Sequence, residues 1–197
     1  MLEVSRELYD YWRELRGKQS APDRNDVEPG AIRAILSDTF VLDFDREREF
    51  PFRISGTRAN ALFLRELRGA SFLHLWRAPD RSAIAAVLQR SADHARPYLL
   101  DAVARPPGLG PLTMEIVLLP LRHQGSAHSR ILGAIATEAS PHWLGLVGAG
   151  EATLVSARPI AETHLPPTQR RVRDDGIVRG FAPRPRPYLC FSDHRPV

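Results

Sequence analysis

The sequence is poor in cysteine, poor in lysine and free of long apolar runs. Its one cysteine, Cys190, excludes an intramolecular disulfide framework and a cysteine-built zinc cluster. No stretch approaches the roughly 20 apolar residues that a membrane helix requires. The opening residues, MLEVSRELYDYWREL, place acids and an amphipathic pattern where a signal peptide needs an uninterrupted apolar segment. A cytoplasmic protein without a membrane span is expected on these grounds. Among 27 basic residues only Lys18 is lysine, a skew that a G+C-rich genome explains more readily than phosphate binding does.

What is present is ordinary for a globular chain. The 197 residues, 43% hydrophobic and 25% charged, suffice for one domain with a core that needs no staple. The net charge of +4 is localised: residues 158–197 hold eight arginines against Glu162, Asp174, Asp175 and Asp193, so the body is neutral. Pro159, Pro166, Pro167, Pro183, Pro185, Pro187 and Pro196 interrupt the same segment, which reads as a flexible basic tail. A tail of this kind has a functional reading as an adaptor for nucleic acid or a membrane surface. Arg170, Arg171 and Arg173 form the only tight cluster, and Asp174 and Asp175 follow it at once. Nucleic acid is therefore not the expected partner.

Along the body the hydrophobic period changes in a telling order. Leu8, Tyr11, Trp12 and Leu15 share one face of an N-terminal amphipathic helix that Gly17 ends. A polar linker leads to Pro29 and a short helix with Ile32, Ile35 and Leu36 on one side. Residues 39–45 and 50–55 alternate with period two and form a hairpin. A helix after Gly56-Thr57 shares Asn60, Phe63, Leu64 and Leu67 on one face. A stronger one, capped by Asp80, covers 81–94. Residues 98–104, 112–119 and 130–138 are strand-like, with the polar stretch 122–129 as a loop. A last strand or docking segment falls near 152–156. Strands grouped around segregated helices indicate an α+β fold: an antiparallel sheet with helices on one face. The flanking helices occupy residues 1–36, the core 37–157 and the tail 158–197.

No constellation of catalytic residues is found. There is no G-x-S-x-G elbow, no H-E-x-x-H and no Cys–His pairing, so a non-enzymatic protein is expected. His123 and His128 are close in sequence but lack a third metal ligand and read as solvated, so no metal site is expected. The glycines at 145, 148 and 150 sit in an antiparallel context with no following helix, which is the wrong setting for a phosphate loop.

Strand–strand–helices–strand–strand–strand is the order of PAS domains, and the resemblance extends to sequence. The chain resembles a family of small, stand-alone bacterial PAS proteins common in alphaproteobacteria. The residues that carry this are Trp12 with Leu15-Arg16-Gly17, the Pro22-x-Arg24-x-Asp26-x-x-Pro29 linker, FRISGTRAN at 52–60 and RELRGASFLHLW at 65–76. The resemblance implies a five-stranded antiparallel sheet whose inner face, with the helices over it, encloses a small cavity. It also implies a regulatory role through protein partners, such as components of histidine-kinase pathways.

Strand parity and helix faces place Phe52, Ile54, Phe63, Leu67, Ile84, Val87, Leu88, His94, Leu100, Met114, Ile116, Leu118 and Ile135 toward such a cavity, where an unidentified small ligand would bind. His94 lies seven residues after Val87 and is the candidate axial ligand if the protein were a haem sensor. The weightier reading is a partly solvated histidine at a helix end. A flavin adduct on a thiol is disfavoured because Cys190 lies in the tail, although noncovalent flavin stays open. The Leu8, Tyr11, Trp12 and Leu15 stripe has two readings, a cap on the chain's own sheet or a homodimer contact, and the homodimer is favoured.

Overall fold

The computed structural model describes residues 1–44, 49–123 and 126–161, with the backbone alone at 123 and 126–129. Helix α1 spans Glu3–Arg16 and buries Leu8, Tyr11 and Trp12. It stops at Gly17, whose φ of 53° lets its N–H turn back to the Arg13 carbonyl. The linker that follows is not the short α-helix expected. It forms three tight 3-10 turns, Arg24–Asp26, Pro29–Ile32 and Leu36–Asp38, closed by bonds such as Ala31 N–H to Glu28 O and Asp38 N–H to Ile35 O. Ile32 and Ile35 are buried as expected, but Leu36 is 41% exposed.

The body is one antiparallel sheet of β1 (Thr39–Asp43), β2 (Phe52–Ser55), β3 (Tyr98–Ala104), β4 (Leu112–His123), β5 (Ser126–Ala136) and β6 (Ala152–Pro159). Their spatial order is β2-β1-β5-β4-β3-β6. Helices α2 (Thr57–Phe63) and α3 (Ala78–Asp93) lie between β2 and β3 in the chain. The sheet thus has six strands where five were expected. β6 pairs with β3 from Ala104↔Ala152 to Tyr98↔Pro159, which carries the core past residue 157. The presumed polar loop 122–129 is largely strand, because β4 and β5 continue to a His123↔Ser126 pair.

Both faces of this sheet are covered, not one. On the inner face α2, α3 and the 3-10 turn Phe72–Leu75 close over Phe40, Leu42, Phe52, Leu100, Met114, Ile116, Leu118 and Ile135. On the outer face Leu8, Tyr11 and Trp12 of α1 pack with Leu99, Val117, Leu119, Leu121, Leu132 and Ala134. The two sets come from alternating positions of the same strands, as the pleat requires.

Polar ties fix the ends of these elements. Asp80 does not cap α3. That helix starts earlier, with Pro79 in its first turn, and the Asp80 carboxylate instead accepts the Leu154 N–H at 3.0 Å. It thereby occupies a backbone donor at the β6 edge, which an exposed edge strand would otherwise offer to another chain. Asn60 accepts from Ser55 Oγ at 2.7 Å and from Leu67 N–H at 3.2 Å, and donates to Glu66 at 3.1 Å. The left-handed Leu64, with φ 50° and ψ 39°, ends α2 and leaves its side chain in solvent.

Between β3 and β6, burial raises the Asp101 carboxyl. The Ser156 hydroxyl at 2.6 Å and the Arg158 guanidinium outweigh that and hold it below the usual aspartate range. Its contribution to stability is therefore present above the unfolded pKa of about 4 and is lost as pH falls below that. In urea titrations Asp101→Asn is expected to be less stable than the parent at pH 6 and to lose less on going to pH 3. Parallel curves for the two proteins would remove this pair from the acid response.

Candidate functional site

The inner compartment is packed. The Phe40, Phe52 and Phe72 rings meet at centroid distances of 5.4, 5.6 and 5.7 Å, and Trp76 joins Phe72 edge-on at 5.9 Å. The edge-to-face pairs among them, Phe40–Phe52 and Phe72–Trp76, stabilise beyond the area they bury. The buried Trp76 Nε1 has no acceptor among the described residues. Around these rings stand Phe63, Leu67, Ile84, Val87, Leu88, Leu100, Met114, Ile116, Leu118 and Ile135, all in one cluster. The residues that parity and helix faces assigned to the inner side are thus brought together, with two exceptions.

Ile54 is the first exception. β1 pairs Leu42 with Phe52 but Val41 with Ile54, so Arg53 is an extra residue in β2. This bulge reverses the parity beyond it. Phe52 stays inside, while Ile54 turns to the outer face and is 55% exposed. His94 is the second exception. Helix α3 ends at Asp93, and His94 is its exposed C-cap, followed by Ala95 at a φ of 50°.

Haem does not fit these residues. An axial imidazole must be aimed into the compartment, and His74, His94 and His142 are all exposed. The expected loop pair His123 and His128, whose backbone belongs to β4 and β5, lies with His164, His194, Cys190 and the basic tail beyond Ala161 outside the side chains described. Among the described residues no group of three or more His, Cys, Asp or Glu is placed to hold a metal. No described helix is long and apolar enough to cross a membrane.

The homodimer contact expected on α1 is corrected as well. Leu8 and Trp12 are 0% and 1% exposed within the single chain, Tyr11 is 8%, and Leu15 packs beside them half-buried. The stripe caps the chain's own sheet, so a second copy has no access to it. Its polar ends are satisfied too. Trp12 Nε1–H donates to Pro120 O at 2.8 Å, and the Tyr11 hydroxyl accepts the Glu28 N–H at 2.7 Å. Leu2 N–H, at the start of α1, donates to the buried Glu115 carboxylate at 2.6 Å. The helix is thereby tied both to the sheet and to the linker.

A groove of about 790 Å³ opens on the outer face, beside α1's seat. Val41, Leu121 and Leu132 form its floor, Ile54 its edge on β2, and Val27, Pro29, Ile32 and Leu36 of the linker its opposite wall. Ser37, Thr39, Ser55 and Thr57 give it hydroxyls, and Arg24, Asn25 and Arg33 stand on the linker side. Arg53, Arg58 and Arg130 are paired with Asp43, Asp38 and Asp43 respectively. Arg24 and Arg33 have no carboxylate partner among the described residues. Sequence reasoning missed this groove. Its walls are 3-10 turns without periodicity, and strand parity assigns its edge residue, Ile54, to the inner side.

A family model described as PAS domain matches residues 2–136. Among solved structures the chain is similar to a fungal LOV domain photoreceptor. Identity is 17%, 51% of this chain and 73% of that one are covered, and the TM-score is 0.39. It is also similar to an RNA-binding light-oxygen-voltage receptor, at 24% identity over 51% of this chain and 28% of that one, with a TM-score of 0.38. No curated protein matches the chain. From helix α1 to the end of β5, the chain belongs to the PAS domain family.

Proposed function

We propose that the chain is a non-enzymatic regulatory module of bacterial signalling that works by binding other proteins, with α1 as the element that changes. The observation that supports this is the attachment of α1. A 14-residue helix too short to be stable alone is laid across the sheet by one apolar seam and a few polar ties. Such a unit undocks as one piece and uncovers an apolar sheet face when it does. A bistable cover of this kind is what a population-shift mechanism needs. The partner class is a component of a histidine-kinase pathway, as the family resemblance implies, and the assembled form is a cytoplasmic homodimer built on surfaces other than the α1 stripe.

The test is capture from the source cells with the full-length chain as bait, beside Tyr11→Phe, which keeps the packing and removes the tie to Glu28. A specific signalling protein whose yield changes several-fold between the two baits supports the reading. Capture of nothing specific, or equal capture by both, sinks it. Native mass spectrometry of the same preparation reads the dimer directly.

A further inference from the structure

From the groove on the outer face of the sheet we infer a binding site for an amphipathic anion, a carboxylate carried on an extended apolar body. It lies on the face opposite the compartment where PAS ligands are expected, and the inference does not rest on the proposed role of α1.

Three observations carry it. The first is shape: a concavity of about 790 Å³ falls within the range of roughly 300–1,000 Å³ typical of small-molecule sites. The second is apolar surface left open. Ile54 at 55% and Leu36 at 41% exposure line it together with Val41 and Leu132. Ile54 is there only because of the bulge at Arg53, which turns an isoleucine out of the core and onto the groove's edge. An aliphatic chain laid between these side chains removes from water a surface that the free protein leaves wet.

The third is charge. Arg24 and Arg33 line the groove with no carboxylate partner among the described residues, whereas Arg53, Arg58 and Arg130 nearby are all paired. Guanidinium groups recognise carboxylates in a planar, two-pronged geometry. Among the described residues the groove's side chains include two cations and no anion, so its complement is an apolar body with an acidic head. The Thr57 hydroxyl adds a donor that a carboxylate or an adjoining polar group can use, whereas Thr39 and Ser55 already donate to Leu36 O and Asn60 Oδ1.

The experiment is calorimetric titration of the full-length protein with dodecanoate, dodecanol and dodecyltrimethylammonium, each below its micelle concentration. The expected result is one dodecanoate per chain, with the alcohol and the ammonium binding at least tenfold more weakly. Ile54→Glu, at a solvent-exposed position, is expected to abolish dodecanoate binding while leaving the circular dichroism unchanged. The Arg24→Gln/Arg33→Gln double variant is expected to weaken it about tenfold and to erase the preference for the acid over the alcohol. No binding of dodecanoate overturns the inference, as does equal binding of the three probes. So does full affinity in both variants, which would place the ligand elsewhere. Partner capture is scored separately, so loss of the α1 mechanism and loss of this site leave different signatures.

Discussion

Trp12→Ala is expected to remove about 3–5 kcal/mol of stability, a large part of what a domain of this size holds. The side chain is 1% exposed and sits centrally in the seam between α1 and β4, with Leu8, Tyr11, Val117 and Leu119 in the same cluster. Truncating it opens a cavity the size of an indole. It also strips the Pro120 carbonyl of the indole N–H donor at 2.8 Å. Since α1 is 14 residues long, it does not hold together in water without this seat. The loss should therefore appear as undocking of the whole helix and not as local softening. Trp12→Phe separates the two contributions: it restores most of the packing and lacks the donor, and should cost about 1–2 kcal/mol. Urea unfolding followed by circular dichroism gives both values. A cost below about 1 kcal/mol for the alanine variant would mean that α1 is not seated on the sheet in solution.

The stripe on α1 was legible in the sequence, but what it covers was ambiguous, and the clue lay in another element. β4 reads LTMEIVLLPL, an almost unbroken apolar run, where a strand with one wet face would alternate. Met114, Ile116 and Leu118 go to the inner cluster, while Val117, Leu119 and Leu121 go to the outer one. A run of that kind calls for a cover on each side, and α1 is the element available for the second. β6 was half visible for a related reason. Its burial is uneven along the strand, and Val155 is 63% exposed, so its alternation is weak.

Two errors have a different origin. Parity counting carried Ile54 inward because a bulge leaves no mark in composition: Arg53 is an unremarkable strand residue. Helical counting carried His94 inward because period continues on paper after a helix has stopped. Here the Arg96 N–H returns to the Ser91 carbonyl at 2.9 Å, and Ser91 Oγ donates to the Arg96 carbonyl at 2.7 Å, so the chain turns away just beyond Asp93. The groove was beyond reach for a third reason. It exists because the 3-10 turns of the linker come to rest against β1 and β2, a long-range approach that no local pattern encodes.

That approach rests on Gly56, which gives the second large effect. Its φ of −72° is open to any residue, so conformational freedom is not why glycine stands there. A Cβ built on Gly56 would lie 2.3 Å from the Ser37 carbonyl oxygen, 2.5 Å from its carbon and 2.6 Å from the Leu36 oxygen. All three are backbone atoms, so the clash cannot be relieved by rotating a side chain. The same close approach lets the Gly56 N–H donate to Thr39 O at 2.8 Å and brings Arg58 to the buried Asp38 at 3.0 Å. Gly56→Ala must push segment 36–38 away from the start of α2 and weaken both contacts. The expected cost is about 3 kcal/mol, the upper part of what overpacking usually exacts. Since Leu36, Ser37, Ser55, Gly56 and Thr57 all line the groove, displacing segment 36–38 also reshapes it. Dodecanoate affinity should then fall in Gly56→Ala at temperatures where the protein is still folded. Unchanged stability would show that the linker does not approach the β2–α2 corner this closely. Lost stability with undiminished binding would show that the ligand is held by Ile54 and the sheet floor, without the linker wall.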